Sequence, residues 1–359
     1  MPQSSVVVQP EPLDSGSYTA SSRLQAAGLQ RAITLFEQAA EAVPIPRPPR
    51  PIVIADYGAA TGHNSLLPIG AAIAVLRKRT RPEHSVLVTH TDVPENDFTE
   101  LFRTLSDDPD TYLKKDHASF ASAVGRSFYS QIVPSNSVNL AWSAWSIQWL
   151  ARTPMPVPDH VLVAHSRDEE VRTAYARQAA HDWHEFVAFR GRELSPGGRL
   201  VVMTMALAED GGFGYRPLLD AISETLTDLV AQELLTDDEL HGMTLPIVGR
   251  RARDFSSPFA PSGTFEKLTV EHLEVFDAED RFWAQYRIDG KSDALGDRWA
   301  AFLRAAAFPT LAAALPADRR AGFLDALSSG VAERLAASPA EVQIPLALVV
   351  IEKQQRAQP

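Results

Sequence analysis

The chain has 359 residues, of which 45% are hydrophobic and 8% aromatic, and its formal net charge is −11. This length favours one large domain with an elaboration, and the acidic balance disfavours nucleic-acid binding, which needs a basic surface. The absence of cysteine excludes disulfides, thiolate metal sites and cysteine nucleophiles.

Residues 1–16 are polar and contain Pro and Ser, which predicts a disordered N-terminal tail. The same stretch lacks the basic and apolar regions of a signal peptide, and no apolar run is long enough to span a membrane. A soluble, cytoplasmic protein is therefore expected. From residue 22 to residue 43 apolar residues recur at helical spacing, with Ser21 or Ser22 as the N-cap.

The next part of the chain alternates between short apolar runs and longer amphipathic ones. Strands are predicted at 52–56, 85–92, 137–144 and 199–207, and helices at 66–79 and 168–193. Because strands that alternate with helices form parallel sheets with right-handed crossovers, the sequence predicts an α/β fold.

The C-terminal part of the chain has a different pattern. From 215 to 340 it is largely helical and acidic, interrupted by the strand candidate "SGTFEKLTVEHLEVFDA", and the apolar run 344–353 predicts a last strand that returns to the sheet. We therefore expect an α/β core made of 17–210 with 342–353, and a mostly helical cap made of 211–341.

The stretch "DYGAATGHNSL" (56–66) joins the first strand to the first core helix. It places Asp56 and Gly58 at the carboxyl end of a strand, where open α/β sheets bind ligands. A dinucleotide loop needs more glycines than this one has. A carboxylate ahead of the turn instead suits a ligand with an ammonium group, such as S-adenosylmethionine. The alternative is an ordinary turn that binds nothing.

The second strand ends in "HTDVPENDF", which places Asp92 where a carboxylate can accept hydrogen bonds from two ribose hydroxyls. Asp92 is equally suited to be the N-cap of a helix that starts near Asn96. Two acids at successive strand ends favour a nucleoside cofactor. His63, in the first loop, either touches the cofactor or faces solvent.

The segment "WSAWSIQWL" (142–150) concentrates three tryptophans and a glutamine. Such aromatic density is typical of a core, but indole N–H and amide groups need partners when buried, which favours a pocket beside the cofactor loop. His181 and His184 are spaced i, i+3 on the long helix. No third ligand accompanies them, so they are interpreted as surface residues and no metal site is predicted.

Several motifs in order resemble one family. They are "SYTASSRLQ" (17–25), "DYGAATGHNSL" (56–66), "TDVPENDF" (91–98), "RSFYSQIVPSNSVNLAWSAWSIQWL" (126–150) and "LSPGGRLVV" (194–202). Together they resemble the SABATH methyltransferases, the salicylate, benzoate and theobromine-type enzymes of plants with their bacterial relatives. The resemblance implies a class I methyltransferase (Rossmann-like) sheet with a helical cap, and transfer of a methyl group from S-adenosylmethionine to a small acid, with S-adenosylhomocysteine as product.

The resemblance also implies roles for individual residues. The residues expected around the cofactor are Ser22, Asp56, Gly58 and Asn64 at its methionine end, Asp92 at the ribose, Val93, Ser127 and Phe128 at the adenine, and Tyr18, which would close over the cofactor. Gln25 and Trp149 would hold the substrate carboxylate for catalysis, and Trp145 and Gln148 would line its pocket.

The chain departs from the family pattern in places that bear on the substrate. Trp145 stands where tyrosine is common, and Gln148 where histidine or methionine is common. "PIVGRRARDF" (246–255) replaces a different segment and brings Arg250, Arg251 and Arg253 near the expected rim of the pocket.

A carboxylic acid with a pKa of about 4 is already ionised at neutral pH. The predicted reaction therefore needs positioning and no general base. The resemblance implies free fatty acids as well as aromatic acids as substrates, since the bacterial branch of the family is associated with both. Residues 299–327 are rich in Ala, Leu and Phe, which suits an elongated apolar cavity and equally suits an ordinary packed pair of helices. A medium-chain free fatty acid is the expected substrate. The alternatives are a salicylate- or benzoate-type acid, N-methylation of a purine-like heterocycle, and a non-catalytic protein that binds S-adenosylmethionine. A homodimer is expected because the family often forms dimers.

Overall fold

The computed structural model describes residues 15–355, and their side chains from residue 28 onwards. The first helix begins at Ser15 and ends at Ala42, so neither Ser21 nor Ser22 is its N-cap, and Ser15 and Gly16 belong to the helix and not to the predicted tail. The rest of that tail, residues 1–14, lies outside the described residues. The helix stops before a proline-rich connector that supplies few N–H groups to continue it.

Within residues 15–355, seven strands form one mixed sheet. They are β1 Ile52–Tyr57, β2 Val86–Asp92, β3 Ser119–Gly125, β4 Val138–Ala144, β5 Leu194–Met205, β6 Leu268–Asp277 and β7 Pro345–Lys353. Their order is β3-β2-β1-β4-β5-β7-β6, and β7 runs antiparallel to both of its neighbours. The predicted α/β class is confirmed. The strand β3 was not predicted, because its small and polar residues, "SFASAVG", form no apolar run.

The helices lie between and beyond these strands. They are α1 Ser15–Ala42, α2 His63–Arg77, α3 Phe98–Asp107, α4 Tyr112–Lys115, α5 Glu169–Glu193, α6 Arg216–Ala231, α7 Asp237–Gly242, α8 Ala252–Ser256, α9 Arg281–Asp289, α10 Ser292–Ala306, α11 Phe308–Ala312 and α12 Ala317–Ala337, with short 3₁₀ turns at Val163–His165 and Ser257–Phe259. The predicted helices 66–79 and 168–193 correspond to α2 and α5.

The strand order reverses between β1 and β4, and this point of reversal determines where the candidate site lies. To one side of this point the chain proceeds through β2 and β3, and to the other side through β5. Because these strands are parallel, the loops at their carboxyl ends meet at one edge of the sheet, and ligands of open α/β sheets bind at this crevice. The helix α1 covers one face of the sheet, where Phe36 packs on Trp142 with ring centroids 4.9 Å apart.

The segment 211–341 was predicted to be a cap, and one part of it belongs to the core. Residues 268–277 form β6, the edge strand of the main sheet, paired along its length with β7. The predicted cap boundary is corrected accordingly. An amphipathic strand has one apolar face, but its backbone N–H and C=O groups also need hydrogen-bond partners. The edge of β7 supplies them.

The two longest helices that follow β6, α10 and α12, pack very closely. Gly296 of α10 lies against the backbone of α12, so that a Cβ atom there would come within 2.2 Å of the Ala332 carbonyl oxygen. Gly322 of α12 is exposed and has no neighbour within 4 Å of such an atom. Only the first glycine is required by packing.

We therefore expect opposite effects from the same substitution at these two positions. Gly296→Ala is expected to lower the free energy of unfolding by about 1–3 kcal/mol, because the helices must separate. Gly322→Ala is expected to raise it by up to about 1 kcal/mol, because alanine loses less backbone entropy in a helix. Urea denaturation of the two variants measures both, and equal effects would show that the helices are not in close contact.

Candidate active site

A cavity of about 550 Å³ opens at the carboxyl ends of β1, β2 and β4. Every predicted cofactor or substrate residue whose side chain is described lines it: Asp56, Gly58, Asn64, Asp92, Val93, Ser127, Phe128, Trp145, Gln148 and Trp149. Tyr18, Ser22 and Gln25 belong to α1, but their side chains lie outside the described residues. The fold thus gathers into one cavity residues that are far apart in the chain.

The turn after β1 is tightly packed at Gly58. Its φ is +84°, and a Cβ atom there would lie 2.0 Å from the Ser146 hydroxyl. The N–H groups of Gly58 and Ala59 both donate to the Thr91 carbonyl, at 2.9 and 3.0 Å. Glycine is needed here because the loop contacts the segment after β4 directly, in addition to any ligand.

Asp56 lies at the floor of the cavity and is only 1% exposed. One of its carboxylate oxygens, Oδ2, is 2.8 Å from Nδ1 of His90, a fully buried residue of β2. Nothing in the sequence pattern singled out His90. His90 lies within a strand whose sequence pattern is ordinary. Only the register of β1 against β2 places it opposite Asp56.

Asp92 is held by backbone N–H groups. Its Oδ2 accepts a hydrogen bond from Ala60 N and its Oδ1 one from Val93 N, both at 2.8 Å. Burial raises the pKa of this carboxyl to about 6, and the neighbouring Asp56 carboxylate adds to the shift. The helix α3 begins at Phe98 with Asp97 as its N-cap, so the alternative that Asp92 caps this helix is wrong.

The loop that carries Ser127 and Phe128 is anchored by a buried ion pair. Arg190 and Glu193 of α5 contact each other at 2.8 Å and are both fully buried. Arg190 donates to the Phe128 and Ser130 carbonyls, at 2.8 and 2.9 Å. The Glu193 carboxylate accepts from the backbone N–H groups of residues 132 and 133, and from the Tyr57 hydroxyl at 2.6 Å. These anchors were not predicted, because acidic and basic residues on a long helix are typical of a solvated face.

The tryptophan segment contains both core and pocket residues. All three tryptophans line the cavity, but Trp142 is buried and packs against Phe36, whereas Trp145 and Trp149 are half-buried. Trp145 has a φ of +56°, and its buried indole N–H has no hydrogen-bond partner within the part of the chain that the structure describes. Gln148 donates to the Trp145 carbonyl at 2.6 Å and accepts from Thr204 at 3.0 Å. Its amide therefore supports the shape of the segment.

The three arginines expected near the rim do not line the cavity. Arg250 is 2% exposed, and its guanidinium donates to the Ile147 carbonyl at 2.6 Å and to the Ala179 carbonyl at 3.0 Å. Burial lowers the pKa of this group. Arg253 is 77% exposed, and Arg251 lies at the start of α8. Arg250 thus supports the tryptophan segment from behind, because its five donors can bridge two backbone carbonyls.

The histidines separate in the structure. His181 and His184 are exposed on α5, as predicted. His63 is half-buried and lines the cavity, and burial lowers its pKa. Among residues 15–355, no group of three or more His, Asp or Glu side chains is placed to hold a metal ion.

The charges around the cavity are strongly segregated. Acidic side chains surround the end formed by the core loops: Asp56, Asp92, Glu95, Asp97 and Glu100. Between residues 28 and 355, no Lys or Arg lines the cavity, and the wall contributed by α6, α10 and the segment 245–247 carries no charged side chain. The site therefore suits a cation at one end and an apolar group at the other, and it does not suit a phosphate.

Comparisons with known proteins agree with this arrangement. A family model described as SAM dependent carboxyl methyltransferase matches residues 7–354. The methyltransferase FUS9 of Gibberella moniliformis is 28% identical over 74% of this chain and 69% of its own length, and the salicylate carboxymethyltransferase of Clarkia breweri is 25% identical over 67% of each. The chain spans about two thirds of the length of such curated relatives. A solved loganic acid methyltransferase with bound SAH superposes with a TM-score of 0.75 at 20% identity, over 96% of this chain and 98% of that one.

The fold is therefore that of a class I methyltransferase with a helical cap. The chain belongs to the S-adenosylmethionine-dependent carboxyl methyltransferases, the SABATH family, and S-adenosylmethionine is its cofactor. Among the helices of residues 15–355, none is both long and apolar enough to cross a membrane.

The buried ion pair behind Phe128 provides a test of how the site is supported. Glu193→Gln preserves the side-chain shape but leaves Arg190 buried without its counter-ion, so we expect the free energy of unfolding to fall by about 3–5 kcal/mol. Asp110→Asn breaks the exposed Asp110–Lys115 pair and is the matched control, with an expected change below about 1 kcal/mol. Urea denaturation at neutral pH measures both, and a similar small change in the two variants would contradict the structural role of Glu193.

Proposed function

We propose that this enzyme converts a hydrophobic carboxylic acid, preferentially a medium-chain free fatty acid, to its methyl ester. The observation that carries the proposal is the charge distribution of the cavity. Carboxylates surround one end, uncharged residues form the other, and no Lys or Arg of the described residues lies between them. In such a cavity the cationic cofactor is itself the strongest attraction for an anionic substrate.

The donor set of the core loops fits the cofactor. We assign the methionine end to Asp56 and Asn64, together with Ser22, because an ammonium group matches a buried carboxylate. Tyr18 is assigned to close over the cofactor. We assign the ribose hydroxyls to Asp92, whose two oxygens each keep a lone pair beyond the backbone bond that they accept. The adenine side is then formed by Val93, Ser127 and Phe128. Gly58, which has no side chain, leaves room for the turn after β1.

The substrate carboxylate is assigned to Gln25 and Trp149, with Trp145 and Gln148 beside it. Bound S-adenosylmethionine supplies a methyl group on a sulfonium, so that an O–CH₃ bond forms while the S–CH₃ bond breaks and its electron pair returns to sulfur. The protein needs no base because the acid is ionised at neutral pH. Neutral N–H donors orient the carboxylate without neutralising it, and the enclosed apolar walls exclude water.

The cap side of the cavity supports an aliphatic substrate. Its lining is apolar apart from one tyrosine hydroxyl and consists of Phe213, Tyr215, Leu218, Leu219, Ile222, Leu245, Ile247, Phe302, Leu303 and Ala305–Ala307. Part of this wall comes from the segment 299–327 that the sequence singled out. Such a surface gains about 25 cal/mol for each Å² of apolar ligand that it buries, so longer chains bind more tightly until the wall is filled.

An aromatic acid is the second candidate, since one relative is named for salicylate. N-methylation and cofactor binding without catalysis are less favoured, because the family to which the chain belongs methylates carboxyl groups. We further propose that residues 211–341, apart from β6, close over the substrate, and that the enzyme is a cytoplasmic homodimer.

A panel of free acids tests the substrate. With labelled S-adenosylmethionine, kcat/KM for methyl-ester formation is expected to rise from benzoate through hexanoate to decanoate, by about threefold to fourfold per buried CH₂, the factor that corresponds to 0.8 kcal/mol. Xanthine-type heterocycles in the same panel measure N-methylation. A fall in kcat/KM as the chain lengthens would reject the fatty-acid preference, and the absence of any methyl ester would reject carboxyl methylation.

Removing the proposed hydrogen-bond donors tests whether Gln25 and Trp149 hold the substrate carboxylate. Trp149→Phe keeps an aromatic ring but loses the N–H, and Gln25→Ala loses the amide. Each is expected to lower kcat/KM for the acid by about 10- to 100-fold, the equivalent of a hydrogen bond to a charged group, while the Kd for S-adenosylhomocysteine stays within about twofold.

Trp183→Phe is the matched control. Trp183 is buried and donates to the Phe255 carbonyl at 2.9 Å, and it does not line the cavity. Its loss is expected to lower the thermal midpoint without changing kcat/KM of the folded enzyme. If Trp149→Phe weakens cofactor binding and acid turnover equally, the proposed substrate role of Trp149 is wrong.

A further inference from the structure

Three buried side chains form a continuous hydrogen-bonded chain that ends in the cavity. The Tyr112 hydroxyl, on α4, is 2.9 Å from His90 Nε2, and His90 Nδ1 is 2.8 Å from Asp56 Oδ2. His90 is fully buried, and Asp56 and Tyr112 are each 1% exposed. Of the three residues only Asp56 lines the cavity.

The Asp56 carboxylate is incompletely satisfied by the protein. Within residues 28–355 its only side-chain donor is His90, which bonds one of the two oxygens. A carboxylate has about four acceptor sites, and burial of such a group is costly unless it is paired and hydrogen-bonded. Among the described side chains, those of residues 28–355, no Lys or Arg lines the cavity to supply the missing charge. A cationic ligand that reaches the second oxygen would offset this cost.

The two acids of the site are held by different means. Backbone N–H groups hold both oxygens of Asp92, and these cannot be removed by changing a side chain. Asp56 depends instead on an imidazole ring, which is itself held by a tyrosine. With the His90 ring neutral, its Nδ1–H donates to Asp56 and Nε2 accepts from Tyr112, so that both ring nitrogens are satisfied. The Tyr112 hydroxyl stays protonated at neutral pH, because burial raises its pKa.

We propose that His90 is a positioning residue, which orients the Asp56 carboxylate towards the amino group of the cofactor, and that Tyr112 fixes the ring of His90. The arrangement resembles the supporting partners that orient ligands in metal sites, whose loss typically costs about 10- to 100-fold in affinity or activity. This inference rests on the proposed assignment of Asp56 to the methionine end of the cofactor.

Two ligands separate a positioning effect from a general structural one. S-adenosylhomocysteine carries the amino-acid end, whereas 5′-methylthioadenosine has the same nucleoside without it. His90→Phe keeps a ring of similar shape but has no donor. By isothermal titration calorimetry we expect its Kd for S-adenosylhomocysteine to rise by about 10- to 100-fold, with the Kd for methylthioadenosine unchanged within about twofold.

Two further variants show whether the hydrogen bond itself is responsible. His90→Asn places an amide N–H where Nδ1 was and is expected to recover most of the affinity. Tyr112→Phe removes a single oxygen atom and is expected to shift the same ratio of affinities in the same direction, but by less. His84→Phe is the matched control, since His84 is another buried histidine, bonded to the Arg50 carbonyl at 2.9 Å and absent from the cavity wall.

The outcomes distinguish the possible failures. An equal loss of affinity for both ligands in His90→Phe and Tyr112→Phe, or no loss in variants with native circular dichroism, would overturn the positioning role. Asp56→Asn tests the underlying assignment separately. If it leaves the ratio of the two affinities unchanged, Asp56 does not bind the amino-acid end, and the proposed placement of the cofactor is wrong irrespective of His90.

Discussion

The site depends on keeping two carboxylates side by side in a cavity that no Lys or Arg of residues 28–355 lines. Asp56 and Asp92 end neighbouring parallel strands, and burial already raises the pKa of Asp92 to about 6. Like charges in a partly enclosed cavity repel each other, and only fixed hydrogen-bond donors keep them in place. The protein supplies backbone N–H groups to Asp92 and an imidazole to Asp56, and in the proposed function the cofactor would bring the compensating positive charge.

The remaining polar groups behind the cavity support its walls. The Arg190–Glu193 pair holds the loop of Phe128, and Arg250 holds the tryptophan segment through its backbone carbonyls. Both arginines bond to carbonyl oxygens and neither lines the cavity. This placement is consistent with the proposed chemistry, because a guanidinium beside the substrate carboxylate would reduce its nucleophilicity. The buried guanidinium groups of Arg190 and Arg250 thus support the backbone behind the cavity wall.

Much of the fold was readable because its signals are local. The strands β1, β2, β4 and β7 are apolar runs, and an acid or turn residue marks the end of several of them. The strand β3 was not predicted because it has no such run. The strand β6 was assigned to the cap because nothing in its own sequence indicates which strand it pairs with. The end of a strand can be read from neighbouring residues, whereas its place in a sheet depends on a distant edge.

The sequence by itself determined the reaction class, since the order and spacing of its motifs match a family, and it indicated residues whose chemistry suits a cationic nucleoside. Only the tertiary structure decided what holds those residues. Asp56 and His90 are 34 positions apart, and Tyr57 and Glu193 are 136 apart. A buried polar group needs a hydrogen-bond partner, and tertiary packing determines which residue supplies it. No local sequence pattern predicts that pairing. The same reason explains why Arg250, which was expected at the rim, serves as an internal support.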